Sequence, residues 1–180
     1  MIPRLIHQLW IDPHAPAPDS PQRHRYQKPP VPPDVQENCA SWSTQHPTFN
    51  YRLWSLDDIS NLTPLSDHPE LRAALLNCRF PAMQADLARL FLLELFGGFW
   101  IDLKLFALQP ITDELIDYDL VVTEHFPKEN LREPNGFLIN SFIGARPYHP
   151  CISHALDEAL HNVFGRKQGS IFYVAGGPVL

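Results

Sequence analysis

Residues 81–106 constrain the fold more than any other part of the chain. A helical stretch from about 82 to 96 carries Leu87, Leu90, Phe91, Leu92, Leu93 and Phe96 and is apolar on almost every side, which is the pattern of a buried helix. Gly97 can take positive φ and end it. Gly98 and a run of aromatic and aliphatic residues follow, interrupted by Asp102 and Lys104. A charge within such a run is costly to bury unless something pairs with it. As an alternating strand, Trp100 to Phe106 places Asp102 and Lys104 on one face and Ile101, Leu103 and Leu105 on the other.

The rest of the chain alternates strand and helix patterns around this stretch. Leu5 to Ile11 suits a short strand. Residues 13–33 are rich in proline and form a loop within the domain beside a site. Asp34 to Glu37 has the spacing of a capping box and opens a helix to about Gln45. Phe49 to Trp54 reads as a strand. Ser55 to Asp58 opens a short helical turn, and Asp67-His68-Pro69-Glu70 opens another helix. Strands are expected at 120–122, about 137–144 and 171–174, with a helix from His149-Pro150 to Gly165 between the last two. The alternation predicts an α/β fold with a mostly parallel central sheet flanked by helices.

With 180 residues, one domain over 1–180 is expected. Net charge is −6, so no general basic surface is available for nucleic acid or anionic lipid. No apolar window is long enough for a transmembrane helix. Without a visible secretory signal, a cytoplasmic location is the default expectation. The three cysteines lack metal-ligand spacing and read as free thiols. The nine histidines include no His-Glu-x-x-His pattern, and no Gly-x-Ser-x-Gly elbow occurs. Gly97-Gly98 follows a helix and precedes a strand, the reverse of the order in a dinucleotide-binding motif.

Asp86 and Arg89 are three apart on the apolar helix and share a face. Taken alone they read as an internal salt bridge. Their position just before the glycine turn directs them toward Asp102. Ligands of open α/β sheets collect at the carboxyl ends of strands, where that acid is expected.

Four segments, in order, resemble the glycosyltransferases of the sugar-binding DXD family. That group includes the yeast initiating mannosyltransferase and, more distantly, the glucosyltransferase domains of large clostridial toxins. The segments are Ile2 to Trp10, Tyr51 to Trp54, Ala85 to Arg89, and Gly97 to Asp102. The resemblance implies a GT-A-like fold, a UDP- or GDP-sugar donor, a saccharide or other hydroxyl acceptor, and transfer with retention, as in polysaccharide or glycan synthesis. It places His7, Gln8, Trp10 and Arg52 by the nucleotide, Asp86 and Arg89 on donor sugar hydroxyls, and Asn135 and Asn140 toward the acceptor. Gly176-Gly177-Pro178 resembles a later turn of the family. Relatives usually continue beyond the position of Leu180, so a truncated member or a fragment is expected.

The resemblance also implies a divalent metal, Mn or Mg, held by Asp102 and a second aspartate two residues later. Lys104 occupies that second position, and a protonated lysine ligates no metal. Asp102 and Lys104 are therefore the candidate catalytic pair, with Lys104 able to meet diphosphate oxygens as a point charge. The competing reading is a noncatalytic nucleotide-sugar- or carbohydrate-binding module in which Lys104 only neutralises Asp102.

Overall fold

The computed structural model describes residues 1–16, 20–27, 29–62, 68–78, 80–125 and 137–165. Five strands form one sheet: β1 is Leu5–Leu9, β2 Asn50–Trp54, β3 Gly98–Ile101, β4 Leu120–His125 and β5 Phe137–Ala145. Their spatial order is β2-β1-β3-β5-β4. β1 pairs in parallel with β2 and β3, whereas β5 runs antiparallel to β3 and β4. One strand therefore opposes four, in the expected mostly parallel α/β arrangement.

The described helices are α1 Pro33–Gln45, α2 Leu56–Ser60, α3 Pro69–Asn77, α4 Pro81–Phe96, α5 Asp113–Ile116 and α6 Pro150–Phe164. A 3-10 turn, Arg23–Arg25, lies in the proline-rich segment. None of the described helices is long and apolar enough to cross a membrane.

Strand alternation divides the core between the two sheet faces. Trp100 and Ile143 pack with Leu87, Phe91, Leu93 and Ile152 on one face. Phe99 and Ile101 pack with Ile6, Trp42 and Ile116 on the other. Full burial of each such Phe, Ile or Leu contributes about 1.5–3 kcal/mol, so β3 is anchored from both sides. All four of its residues are buried.

The two glycines let β3 enter this crowded slot. Gly97 has φ 61° and Gly98 φ 91°, a region that side chains other than hydrogen disfavour. A Cβ on Gly98 would stand 2.5 Å from the Leu5 carbonyl oxygen, and one on Gly97 2.6 Å from the Pro147 ring. The turn that ends α4 is thus also the point where three segments touch.

Three expectations are corrected. Asp34 caps nothing: α1 begins at Pro33 with Pro32 as N-cap, and Asp34 lies within the first turn. Proline's preset φ fits the first helical position, which moves the start ahead of the acid. The helix after residue 68 likewise has His68 as its N-cap without a side-chain bond. By contrast, Ser55 and Asp58 form the expected reciprocal capping box. The third correction concerns β3, which stops at Ile101. The Asp102 amide makes a last bond to the Ser141 carbonyl, and Leu105 N–H then donates to the Asp102 carbonyl in a turn. Asp102 and Lys104 therefore do not share a strand face. The expected strand at 171–174, Asn135 and Gly176-Gly177-Pro178 lie outside the described residues.

Candidate active site

α4 and the end of β3 bring the charged residues together. Arg89 is 4% exposed, and its Nη1 donates to Asp86 Oδ1 at 2.7 Å. Its Nη2 reaches Asp102 Oδ1 at 3.3 Å, so one guanidinium spans both acids. The Trp100 indole N–H also donates to Asp102 Oδ1, at 2.9 Å, and its ring lies 5.2 Å from the Arg89 guanidinium carbon. Asn140 on β5 donates from Nδ2 to Asp86 Oδ1 at 3.1 Å. The Lys104 ammonium stands 3.6 Å from Asp102 Oδ2. Burial pushes the Asp86 carboxyl above its ordinary pKa, while the Arg89 pairing and the Asn140 hydrogen bond oppose the shift.

Two acids and two bases thus form one nearly neutral cluster where β3 ends. Arg89 Nε is buried without a hydrogen-bond partner among the described residues. A cationic group with an unused donor is costly in an apolar interior; here it lies in the same cluster as an exposed lysine.

The residues expected by the nucleotide divide into two groups. His7 and Gln8 are fully buried in the sheet. The Trp54 indole N–H donates to His7 Nδ1 at 3.0 Å, which leaves His7 Nε2 to carry the proton and donate it to the Gly97 carbonyl at 2.8 Å. Burial lowers the His7 pKa to about 4, with the Arg52 charge adding to the effect and the Gly97 bond opposing it. His7 therefore holds β1, β2 and the glycine turn together as a neutral imidazole. Gln8 accepts the Tyr51 hydroxyl at 2.7 Å. Gln8 Nε2 is buried without a hydrogen-bond partner among the described residues.

Trp10 and Arg52 are placed differently. Arg52 is exposed beside Trp54, its guanidinium carbon 3.5 Å from the centre of that ring. Trp10 follows β1 and lines a cavity of about 260 Å³, its indole nitrogen without a partner among the described residues. Asp12, Arg23, Tyr26, Asp57 and Gln84 also border this cavity. It lies past the carboxyl ends of β1 and β2, where open α/β sheets receive ligands.

The proline-rich segment makes one wall. Arg23 Nη2 donates to both Asp57 oxygens at 2.6 Å and Nη1 to the Pro16 carbonyl at 2.7 Å, while the Tyr26 hydroxyl donates to Asp12. Sequence reasoning identified the segment but not these four residues. The signal it lacked was spatial, since the ion pair joins positions 34 apart.

The cavity and the charged cluster lie at the same edge of the sheet, past the carboxyl ends of the parallel strands β1 and β3. Cys78 lines the cavity, and burial together with the Asp86 charge pushes that thiol up to about 11. Gln84 of α4 also lines it. The cavity volume falls just below the roughly 300 Å³ at which small-molecule sites begin.

Among the described residues, no three His, Cys, Asp or Glu side chains come together to hold a metal. Asp102, the acid the family pattern assigns to one, already receives Arg89 and Trp100.

Comparison with known proteins gives a consistent picture. The family described as capsular polysaccharide synthesis protein matches residues 29–175. A protein of Acanthamoeba polyphaga mimivirus, named as an uncharacterized glycosyltransferase, is 26% identical over 167 residues. The match covers 93% of this chain, which spans 57% of the length of that relative. The solved structure of the PaToxG glycosyltransferase superposes with a TM-score of 0.72 at 17% identity, covering 99% of this chain and 67% of the other. The fold is thus a GT-A-like glycosyltransferase fold.

Proposed function

We propose, for a chain that belongs to the capsular polysaccharide synthesis protein family, that it transfers a sugar from a nucleotide-sugar to a saccharide or other hydroxyl acceptor, with retention at the anomeric carbon. The observation that carries this reading is that the Trp10 cavity and the Asp86–Arg89–Asp102 cluster lie at the carboxyl ends of neighbouring parallel strands, β1 and β3. A nucleoside diphospho-sugar has the same succession of parts: a flat base, a doubly charged linker and a polyhydroxylated ring. Trp10 offers the base an aromatic ring at the cavity wall.

Asp86 and Arg89 supply an acceptor and a forked donor for sugar hydroxyls. Asp102 and Lys104 stand at the diphosphate, and Asn140, bonded to Asp86, faces the acceptor side of the sugar. In transfer, the bond from the anomeric carbon to the diphosphate oxygen breaks, a bond to the acceptor oxygen forms, and the acceptor hydroxyl proton passes to the departing diphosphate. The site's contribution is to orient the two reactants and stabilise the departing diphosphate. The family and the mimivirus relative support a transferase over a noncatalytic module.

Hydrolysis or transfer from a panel of UDP- and GDP-sugars, measured for the native chain and for Asp102→Ala, tests the proposal. Turnover of at least one donor, reduced about 100-fold or more in the variant, is expected for loss of a group at the reacting centre. Turnover unaffected by the substitution refutes the site. Donor binding without turnover supports the module reading instead.

A further inference from the structure

The residues at the end of β3 do not fit the divalent metal that the resemblance implies. The second acid of the metal-binding pattern is replaced by Lys104, and Asp102 is engaged by Arg89 and Trp100 through Oδ1 and approached by Lys104 at Oδ2. The other nearby acid, Asp86, is held by Arg89 and Asn140. A divalent cation here would meet two fixed positive charges and no free pair of carboxylates. The cluster already balances its own charge, two acids against two bases.

Lys104 is mounted in an unusual way. Its side chain is 74% exposed, and its contact with Asp102 is long. Exposed pairs of this kind contribute little and are readily exchanged for another anion. The backbone on both sides, however, is tied to α1. Asn38 Nδ2 donates to the Leu103 carbonyl at 2.8 Å, and the Trp42 indole N–H donates to the Leu105 carbonyl at 2.8 Å. Ser41 Oγ accepts the Ala107 N–H at 2.9 Å, extending the clamp. An exposed ammonium, held only by its long contact with Asp102, thus sits on a held turn where β3 delivers that acid.

We infer that Lys104 is itself the cation that meets the donor diphosphate, that Asn38 and Trp42 are its positioning residues, and that donor binding needs no divalent metal. The inference rests on the nucleotide-sugar reading above. It separates the two tasks that a metal performs together: Lys104 supplies the charge, and α1 supplies the fixed position. An ammonium delivers one positive charge without directional ligation. The rigidity that coordination geometry would give must therefore come from the turn.

Calorimetric titration with UDP, GDP and the corresponding nucleosides, in EDTA and in manganese, tests this on the native chain, Lys104→Ala and Asn38→Ala. The better nucleoside diphosphate is expected to bind the native chain with affinities within about twofold in the two buffers. Lys104→Ala should weaken it about tenfold or more and leave the nucleoside unchanged, because only the charge-assisted contact is removed. Asn38→Ala should weaken the diphosphate by a smaller factor and spare the nucleoside, a split that a general loss of structure would not produce. Binding that requires manganese, or equal diphosphate affinity in native chain and Lys104→Ala, overturns the inference alone. Failure of both nucleotides to bind in either buffer overturns the donor reading and this inference with it.

Discussion

Replacing His7 with glutamine tests how the glycine turn is secured. The imidazole is fully buried, stacked against Trp54 with ring centres 5.9 Å apart, and committed to a single tautomer. Protonation would put an N–H on Nδ1, directly against the Trp54 N–H that now donates to it. Burial lowers the pKa from 6.5 to about 4, the Arg52 charge adding to the shift and the Gly97 bond opposing it. Between these values the unfolded chain binds a proton that the folded chain refuses, so stability rises with pH. The contribution is complete above about pH 6.5 and declines as pH falls toward 4. The gap corresponds to about 3 kcal/mol, of which about 2.5 kcal/mol is lost by about pH 4.5. Glutamine cannot titrate, yet it keeps an N–H for the Gly97 carbonyl. At neutral pH the variant should be less stable by about 1–3 kcal/mol. Urea unfolding from about pH 7 to about pH 4.5 should show the two proteins converging as the native one loses its His7 contribution. Parallel pH dependences would refute the buried neutral imidazole.

Gly98→Ala should destabilise the fold by about 2 kcal/mol or more, because the new Cβ would lie 2.5 Å from the Leu5 carbonyl at a positive φ. Thermal unfolding checks this, and an unchanged melting temperature would show that β1 and β3 can separate freely. Asp86→Ala strands the buried Arg89 with only the longer Asp102 contact, at an expected cost of about 3–5 kcal/mol. Urea titration should show much of that loss recovered when Arg89→Met is added, since the uncompensated charge, more than the missing contact, is what destabilises.

Much of the fold was legible because period and punctuation agree. The buried helix ends at glycines whose positive φ the structure uses, and the Ser55–Asp58 box forms through both its bonds. The same four-residue rule failed at Asp34, where two prolines set the N-cap two positions earlier, at Pro32. α5 was missed because four residues carry no helical period. The direction of β5 was equally hidden, since parallel and antiparallel pairing place the same buried residues on the same strand. In the site, the Asp86–Arg89 spacing pointed to a real pair on one helix face. The Arg23–Asp57 wall and the His7–Trp54 bond join distant segments and leave no local pattern.

The end of β3 shows why a strand's length is not a property of its own residues. Alternation continues in the sequence past Ile101, but the ladder of β3 with β5 ends there although β5 itself runs on to Phe137. Ser141 accepts the last bond, from the Asp102 amide. Beyond it, the carbonyls of Leu103 and Leu105 are taken by Asn38 and Trp42 from α1. The spacing of Asp102 and Lys104 is consequently set by a turn held from outside, with no contribution from the pleat. Because the Lys104 side chain projects into solvent from that turn, its identity can change without disturbing the core. The side chain at that position bears on the charge presented to Asp102 and to a ligand more than on the packing of the core. Lys104 therefore informs about chemistry, and Asn38 and Trp42 about how that chemistry is held in place.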